Sequence, residues 1–302
     1  MIVIKNGDIY FNDITRFISG DPTDAIFQSL LKIWDPEKYH NIPEYYSQGE
    51  ALSSKFEEKI YGSFSELYDL LIRKATHEDT VQRILEKETY ALIVMDGLSL
   101  REAALLKNTI SKEYHISFDY LFSTLPTETQ FFTSRYFGYR SPSEMRKRKL
   151  PYNFEIVSRI ENAHKLKRHP KTIVWSALPD KRFATTTTDF RVSDLAKIYS
   201  EVEDLLGHLL ETLFESFEKV YLTSDHGYIT DSHAWKGLRE FPSDRRYATS
   251  IGENLKQYCR FVNGYWCLIG GYTALKRGKY THVRHGGISF LEAMTPYLTI
   301  KS

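Results

Sequence analysis

The stretch Tyr90-Ala91-Leu92-Ile93-Val94-Met95-Asp96-Gly97 decides the fold. Its first six residues are apolar without a break, as in a strand covered by helices on both faces of a mostly parallel sheet. The run stops on a carboxylate and a glycine. Residues 99–107, in which Leu100, Ala103, Ala104, Leu105 and Leu106 are apolar, then read as a helix, giving a strand–Asp–helix unit. In an open α/β sheet, ligands bind at the carboxyl ends of the strands. A strand-end aspartate also serves commonly as the N-cap of the next helix. For Asp96 alone, both roles stay open.

A second stretch of the same design is Val220-Tyr221-Leu222-Thr223-Ser224-Asp225-His226-Gly227. Here a β-prone run delivers a hard oxygen and a borderline nitrogen side by side, which suits one metal ion. The same three final residues also tolerate an ordinary strand-to-loop turn. Further strands are expected at 116–123, 171–178 and 265–269, alternating with helical patterns. The longest helix is expected over 192–217, where Leu195, Ile198, Val202, Leu205, Leu206, Leu209, Leu210 and Leu213 recur at helical spacing. The reading is an α/β core, residues 89–302, with a mostly parallel central sheet flanked by helices. Residues 1–88, with helical stretches at 27–34 and 64–74, read as a mostly helical N-terminal subdomain or cap.

Bulk properties bound the function. The 302 residues carry 40 Lys plus Arg against 39 Asp plus Glu, a net charge of +1 that demands no polyanionic partner; a nucleic-acid role stays open but finds no support in the charge. The two cysteines, Cys259 and Cys267, make neither a disulfide framework nor a CxxC metal motif. No apolar run reaches membrane-spanning length, and Met1-Ile2-Val3-Ile4-Lys5 lacks a signal-peptide core. The expectation is a cytoplasmic protein without a membrane partner. Basic residues outnumber acidic ones between Arg135 and Lys171. That run is a solvated face or, if it borders the site, a means of steering a phosphorylated substrate.

Two more segments carry chemistry. Leu125-Pro126-Thr127-Glu128-Thr129-Gln130 sets threonine hydroxyls in a proline-fixed loop, as nucleophiles or as N-caps. Thr281-His282-Val283-Arg284-His285-Gly286-Gly287-Ile288-Ser289 sets a histidine beside two glycines, where backbone can approach a metal or phosphate closely.

Together these blocks resemble the alkaline phosphatase superfamily, and within it the PglZ domain of phage-defence and signalling proteins. The matching blocks are IVMDG at 93–97, LPTETQ at 125–130, Pro179-Asp180, LTSDHG at 222–227 and HGGIS at 285–289, in the family's order. The resemblance covers the chain from about residue 90 to its end and says nothing of the region before. It implies two divalent metal ions, zinc or manganese, clamping an in-line phosphoryl displacement. One ion would be held by Asp96, Asp225, His226 and the nucleophile Thr129, with Thr127 as the fallback. The other would be held by Asp180 and His285. Gln130 and Arg135 are candidate phosphate donors by their nearness to Thr129.

The implied activity is metal-dependent hydrolysis of a phosphorylated small molecule or nucleotide. One departure stands against it. Related two-metal phosphodiesterases place a histidine four residues after the Pro-Asp pair, where this chain has Ala184. His282, or His233, is the candidate replacement. The Asp204/His208 pair is set aside, because its leucine-rich surroundings continue a helix and make the two i,i+4 neighbours. The competing reading is a weakly catalytic or non-catalytic scaffold with protein partners in a defence or signalling complex.

Overall fold

The computed structural model describes residues 2–5, 8–11, 20–185, 192–231, 233–275 and 282–302. Six strands form its main sheet: β1 (Tyr90–Met95), β2 (His115–Phe122), β3 (Asn153–Val157), β4 (Lys171–Ser176), β5 (Lys219–Ser224) and β6 (Met294–Lys301). Their spatial order is β2-β6-β5-β1-β4-β3. β1 runs parallel to β4 and β5, and β3 parallel to β4, whereas β6 is antiparallel to both β5 and β2. One edge of the sheet therefore gathers the carboxyl ends of five strands and the amino end of β6.

The architecture is α/β, as the sequence pattern requires. All six residues of β1 are buried because the sheet is covered on both sides. Ala91, Ile93 and Met95 face one apolar cluster, while Tyr90, Leu92 and Val94 face another, following the period-two alternation of a strand. Each such buried aliphatic side chain contributes roughly 1.5–3 kcal/mol, which is why truncating one in β1 would be costly.

The helices relevant to the site are α1 (Pro22–Ile33), α2 (Ile42–Ser63), α3 (Glu66–His77), α4 (Thr80–Leu85), α5 (Leu100–Ile110), α6 (Thr129–Phe137), α7 (Asp180–Thr185) and α8 (Val192–Phe214). Residues of α1, α2, α3, α5 and α8 join the Ile93 cluster; Val81 and Ile84 of α4 and Phe132 and Tyr136 of α6 join the Leu92 cluster. α6 thus lies on the second face with its first residue at the ligand edge.

Ser99, not Asp96, caps α5. Its hydroxyl accepts from the first turn while the Glu102 carboxylate reaches back to the Ser99 N–H, a reciprocal capping box. The alternative use of Asp96 is thereby removed.

Several expectations need correction. The expected strand at 265–269 is real over Tyr265–Leu268 but belongs to a separate three-stranded antiparallel sheet with Tyr247–Ala248 and Cys259–Val262. β3 and β6 were not expected as strands, and the long helix stops at Phe214. The N-terminal region is largely helical, and in it Ile2–Lys5 pairs antiparallel with Asp8–Phe11. Its helices share one apolar cluster with the sheet. They are also tied by charge: Arg101 of α5 is fully buried and pairs with Glu50 of α2 at 3.2 Å. Among the described residues, no helix is long and apolar enough to cross a membrane.

Candidate active site

Strand register builds the first half of the site. Met95 pairs with Ser224 across β1 and β5, so the next residues, Asp96 and Asp225, leave the sheet side by side. Asp225 is fully buried. Its Oδ1 accepts the backbone N–H groups of Gly97 at 3.1 Å and His226 at 3.0 Å. Its Oδ2 takes the Thr129 hydroxyl at 2.6 Å, and that hydroxyl lies 3.4 Å from Asp96 Oδ1. Gly97 is required at its position: φ is +76°, and a Cβ there would come within 3.2 Å of Asp180 Cβ.

His226 is aimed by its neighbour. Its Nδ1 lies 3.0 Å from the Gly227 carbonyl, which can only accept, so Nδ1 carries a proton. The opposite nitrogen, Nε2, faces Asp96 Oδ1 at 3.7 Å and Asp225 Oδ2 at 3.6 Å. It is buried and makes no hydrogen bond. Burial alone would lower the imidazole's pKa, but the Asp225 and Asp180 carboxylates hold it above its ordinary value. Burial, then the Asp225 and Asp180 charges, push Asp96 well up.

These observations fit a divalent cation. The ligand atoms of Asp96, Asp225 and His226 lie within 4.8 Å of one another, the one such group among the described residues. Two oxygens and a nitrogen lone pair converge, carboxylate charges crowd together, and a buried nitrogen lacks a partner.

The second half comes from loops. Asp180 opens α7, and its backbone N–H donates to the Asp96 carbonyl at 3.0 Å. His285 sets Nδ1 against the Thr127 carbonyl at 3.2 Å and Nε2 3.7 Å from Asp180 Oδ1. Its ring stacks on that of His226, with centroids 4.1 Å apart and planes at 15°. Burial and the neighbouring His226 push the His285 imidazole down to about 4. Among the described residues, Asp180 and His285 belong to no group of three metal-type ligands. Position 184, inside α7, offers only a methyl group.

The nucleophile candidates separate by geometry. The Thr127 hydroxyl is occupied between Gly286 N, 2.8 Å away, and the Gly287 carbonyl, 3.1 Å away. The Thr129 hydroxyl faces the carboxylates instead. Thr129 is also the first residue of α6; its N–H and that of Gln130 precede the first helical bonds, which Phe131 and Phe132 make to the Glu128 carbonyl, and can receive an anion.

Other proposed residues go elsewhere. Gln130 lies on the rim, donating to Tyr247 Oη at 3.1 Å. Arg135 does not reach the cluster: its guanidinium donates to the carbonyls of Ala75, Thr76 and Glu78 and so ties off the end of α3. His282 pairs with Asp231 at 2.9 Å, and His233 with buried Glu57 at 2.8 Å, so neither sits in the gap left by Ala184. His208 pairs with Glu211 along α8. Of the basic run, Arg168 lies at the opposite edge of the sheet, beside Tyr90 and Lys219 at the starts of β1 and β5.

Three residues that the sequence did not single out gather at the start of α6. Glu128 approaches His285 Nδ1 at 3.8 Å and pairs with Arg245 at 2.8 Å, and Arg245 donates to Tyr247 Oη at 2.6 Å. Burial raises the Glu128 carboxyl despite the opposing Arg245 charge. Only Glu128, within the 125–130 block, carried a signal in its position.

No family model and no curated protein matches the chain. Among solved structures, the chain is similar to murine ectonucleotide pyrophosphatase/phosphodiesterase 5 in an inactive form in complex with AMP. That match has a TM-score of 0.47 and 11% identity, over 71% of this chain and 88% of that one. The human counterpart is similar at a TM-score of 0.42 and 10% identity, over 70% and 87% of the respective chains. Likenesses this distant do not bear on what the site does.

Proposed function

We propose that the chain is a metal-dependent phosphoester hydrolase with Thr129 as its nucleophile. The observation that carries this reading is the Thr129 hydroxyl, 2.6 Å from Asp225 Oδ2 at the mouth of an Asp/Asp/His group. Asp96, Asp225 and His226 would hold one divalent cation, zinc or manganese by the mixed oxygen and nitrogen donors; Asp180 and His285 would hold a second less completely. When bound, the ions supply positive charge beside the nucleophile and the phosphate.

The chain's own residues do the rest. Asp225 Oδ2 is placed to take the Thr129 proton. The freed oxygen attacks phosphorus as the bond to the ester's leaving oxygen breaks on the opposite side, and that oxygen takes a proton from solvent. Water then attacks the phosphorus on Thr129, the Thr129 oxygen regains a proton, and phosphate leaves from a monoester substrate or a monoester from a diester. The N–H groups of Thr129 and Gln130 are positioned to donate to the phosphate oxygens as charge builds there. A cavity of about 600 Å³ lined by Arg245, Tyr247 and Tyr265, linked to Gln130 through the Tyr247 hydroxyl, would take the rest of a phosphorylated small molecule or nucleotide. Membership of the PglZ group, and a place in a phage-defence or signalling complex, rest on the ordered sequence blocks and belong to the same proposal.

A second reading has one observation in its favour: with Ala184 in α7, the second half has two protein ligands. A scaffold that keeps the fold but turns over slowly would have such a site. The test is hydrolysis of a bis-aryl phosphate by the purified protein with added Zn²⁺ or Mn²⁺. Wild type is expected to turn over, and Thr129→Ala to fall by ~10³-fold or more. Equal, metal-dependent turnover by Thr129→Ala would remove Thr129 from its role. No metal-dependent turnover in wild type would favour the scaffold.

A further inference from the structure

Both histidine-bearing loops lean on one residue outside the ligand set. Glu292 is fully buried in the short helix Phe290–Ala293 that leads into β6. Its backbone carbonyl accepts the Gly227 N–H at 2.7 Å, one residue after His226. Its side-chain Oε1 accepts the Gly287 N–H at 3.1 Å, two residues after His285. Its Oε2 pairs with Arg246, which is itself buried and donates through Nε to the Tyr272 carbonyl at 3.1 Å.

The packing leaves these loops little room to shift. A Cβ on Gly227 would lie 2.1 Å from the Leu291 carbonyl oxygen, and one on Gly287 would lie 2.6 Å from Arg246 Cζ. The two glycines thus let backbone press directly onto the Glu292–Arg246 pair and its helix. An apolar pair of similar volume would fill the same space without the cost of burying two charges, but it would offer no acceptor to Gly287.

We propose that Glu292, with Arg246 as its buried counter-ion, is a positioning residue that sets the stacked His226–His285 pair and so the spacing between the two halves of the site. Outer groups of this kind orient metal-ligating histidines, and their loss typically weakens metal binding by ~10–100-fold. The proposal deepens the hydrolase reading, but its main test does not depend on turnover.

The test compares Glu292→Met/Arg246→Met with Glu292→Gln/Arg246→Met. The first pair removes the acceptor for Gly287; the second restores a neutral one. Amide hydrogen exchange is read on the chelated proteins, and Zn²⁺ affinity by competition with a chromophoric chelator. In the Met/Met protein, exchange over 285–288 is expected to rise ~10-fold or more with 90–95 unchanged, and Zn²⁺ affinity to fall ~10–100-fold. The Gln/Met protein is expected to recover most of both, which a merely space-filling role would not produce.

A folded Met/Met protein with wild-type exchange and wild-type affinity would overturn the proposal. If that protein does not fold, Glu292→Asp serves: it keeps a charge opposite Arg246 and the backbone carbonyl, but withdraws Oε1 from Gly287. Faster exchange over 285–288 with 225–228 unchanged is then expected, and no difference at 285–288 would overturn the proposal. Absence of hydrolysis by wild type would count against the hydrolase reading alone.

Discussion

The two halves of the site are built by different means. Asp96 and Asp225 follow directly on paired residues of β1 and β5, so the sheet's hydrogen bonds fix their separation before any ligand arrives. Asp180 and His285 come from segments beyond the strands and depend on bonds to the Asp96 and Thr127 carbonyls. In the proposed arrangement the first half would offer three ligand atoms and the second two, Ala184 standing at the position where the resemblance calls for a histidine. Ligands placed by strand register are preorganised by the fold itself. Those placed by loops need other residues, such as Glu292 and Thr127, to hold them.

That contrast is broken most readily at its stronger side. Asp225→Asn would remove the proposed proton acceptor for Thr129 and a proposed metal ligand, and kcat is expected to fall by ~10³-fold or more. Asp180→Asn is expected to cost less, about 10–100-fold, with most of the loss recovered at high metal concentration. Equal losses in the two variants, assayed side by side across a Zn²⁺ series, would contradict the asymmetry.

A smaller effect concerns pH in the chelated protein. The His285 imidazole is pushed down to about 4 from 6.5, so between those values the unfolded chain binds the proton more readily than the folded one. This contribution favours folding at higher pH and is lost as pH falls from 6.5 toward 4. His226 has the opposite sign: its raised value favours folding below 6.5, a contribution lost as pH rises through the folded-state pKa. Thermal melts from pH 7 to pH 4.5 are expected to show a fall in Tm that His285→Gln flattens. An equally steep fall in that variant would contradict the assignment.

Much of this was legible in the sequence for physical reasons. β1 is buried on both faces and continuously apolar up to Asp96, and β5 is buried from Val220 onward, its apolar Val220-Tyr221-Leu222 run leading through Thr223 and Ser224 to Asp225. β3 was hidden because it is a short edge strand whose Glu155 interrupts the apolar pattern. β6 was hidden by Pro296, which argues against a central strand; in the structure it falls one residue before pairing with β5 begins at Tyr297. Arg135 sits near Thr129 in sequence, but on a helix the next turn points away, and its charge is used on α3 carbonyls. Arg245 and Tyr247 are distant in the chain from Thr129 and reach the site through tertiary packing alone; Glu292 is close to Gly287 in sequence, but the buried Arg246 opposite it is brought there only by packing. No local spacing could have announced these contacts.

The central claim is that the Asp96, Asp225 and His226 group is the primary metal site. It is tested most directly by titrating chelated protein with Zn²⁺ while locating each ion by anomalous scattering. The first equivalent is expected between Asp96, Asp225 and His226, beside Thr129, with any second ion at Asp180 and His285 only at higher concentration. A first ion bound at Asp180 and His285, or none near Asp96 at saturation, would contradict the account.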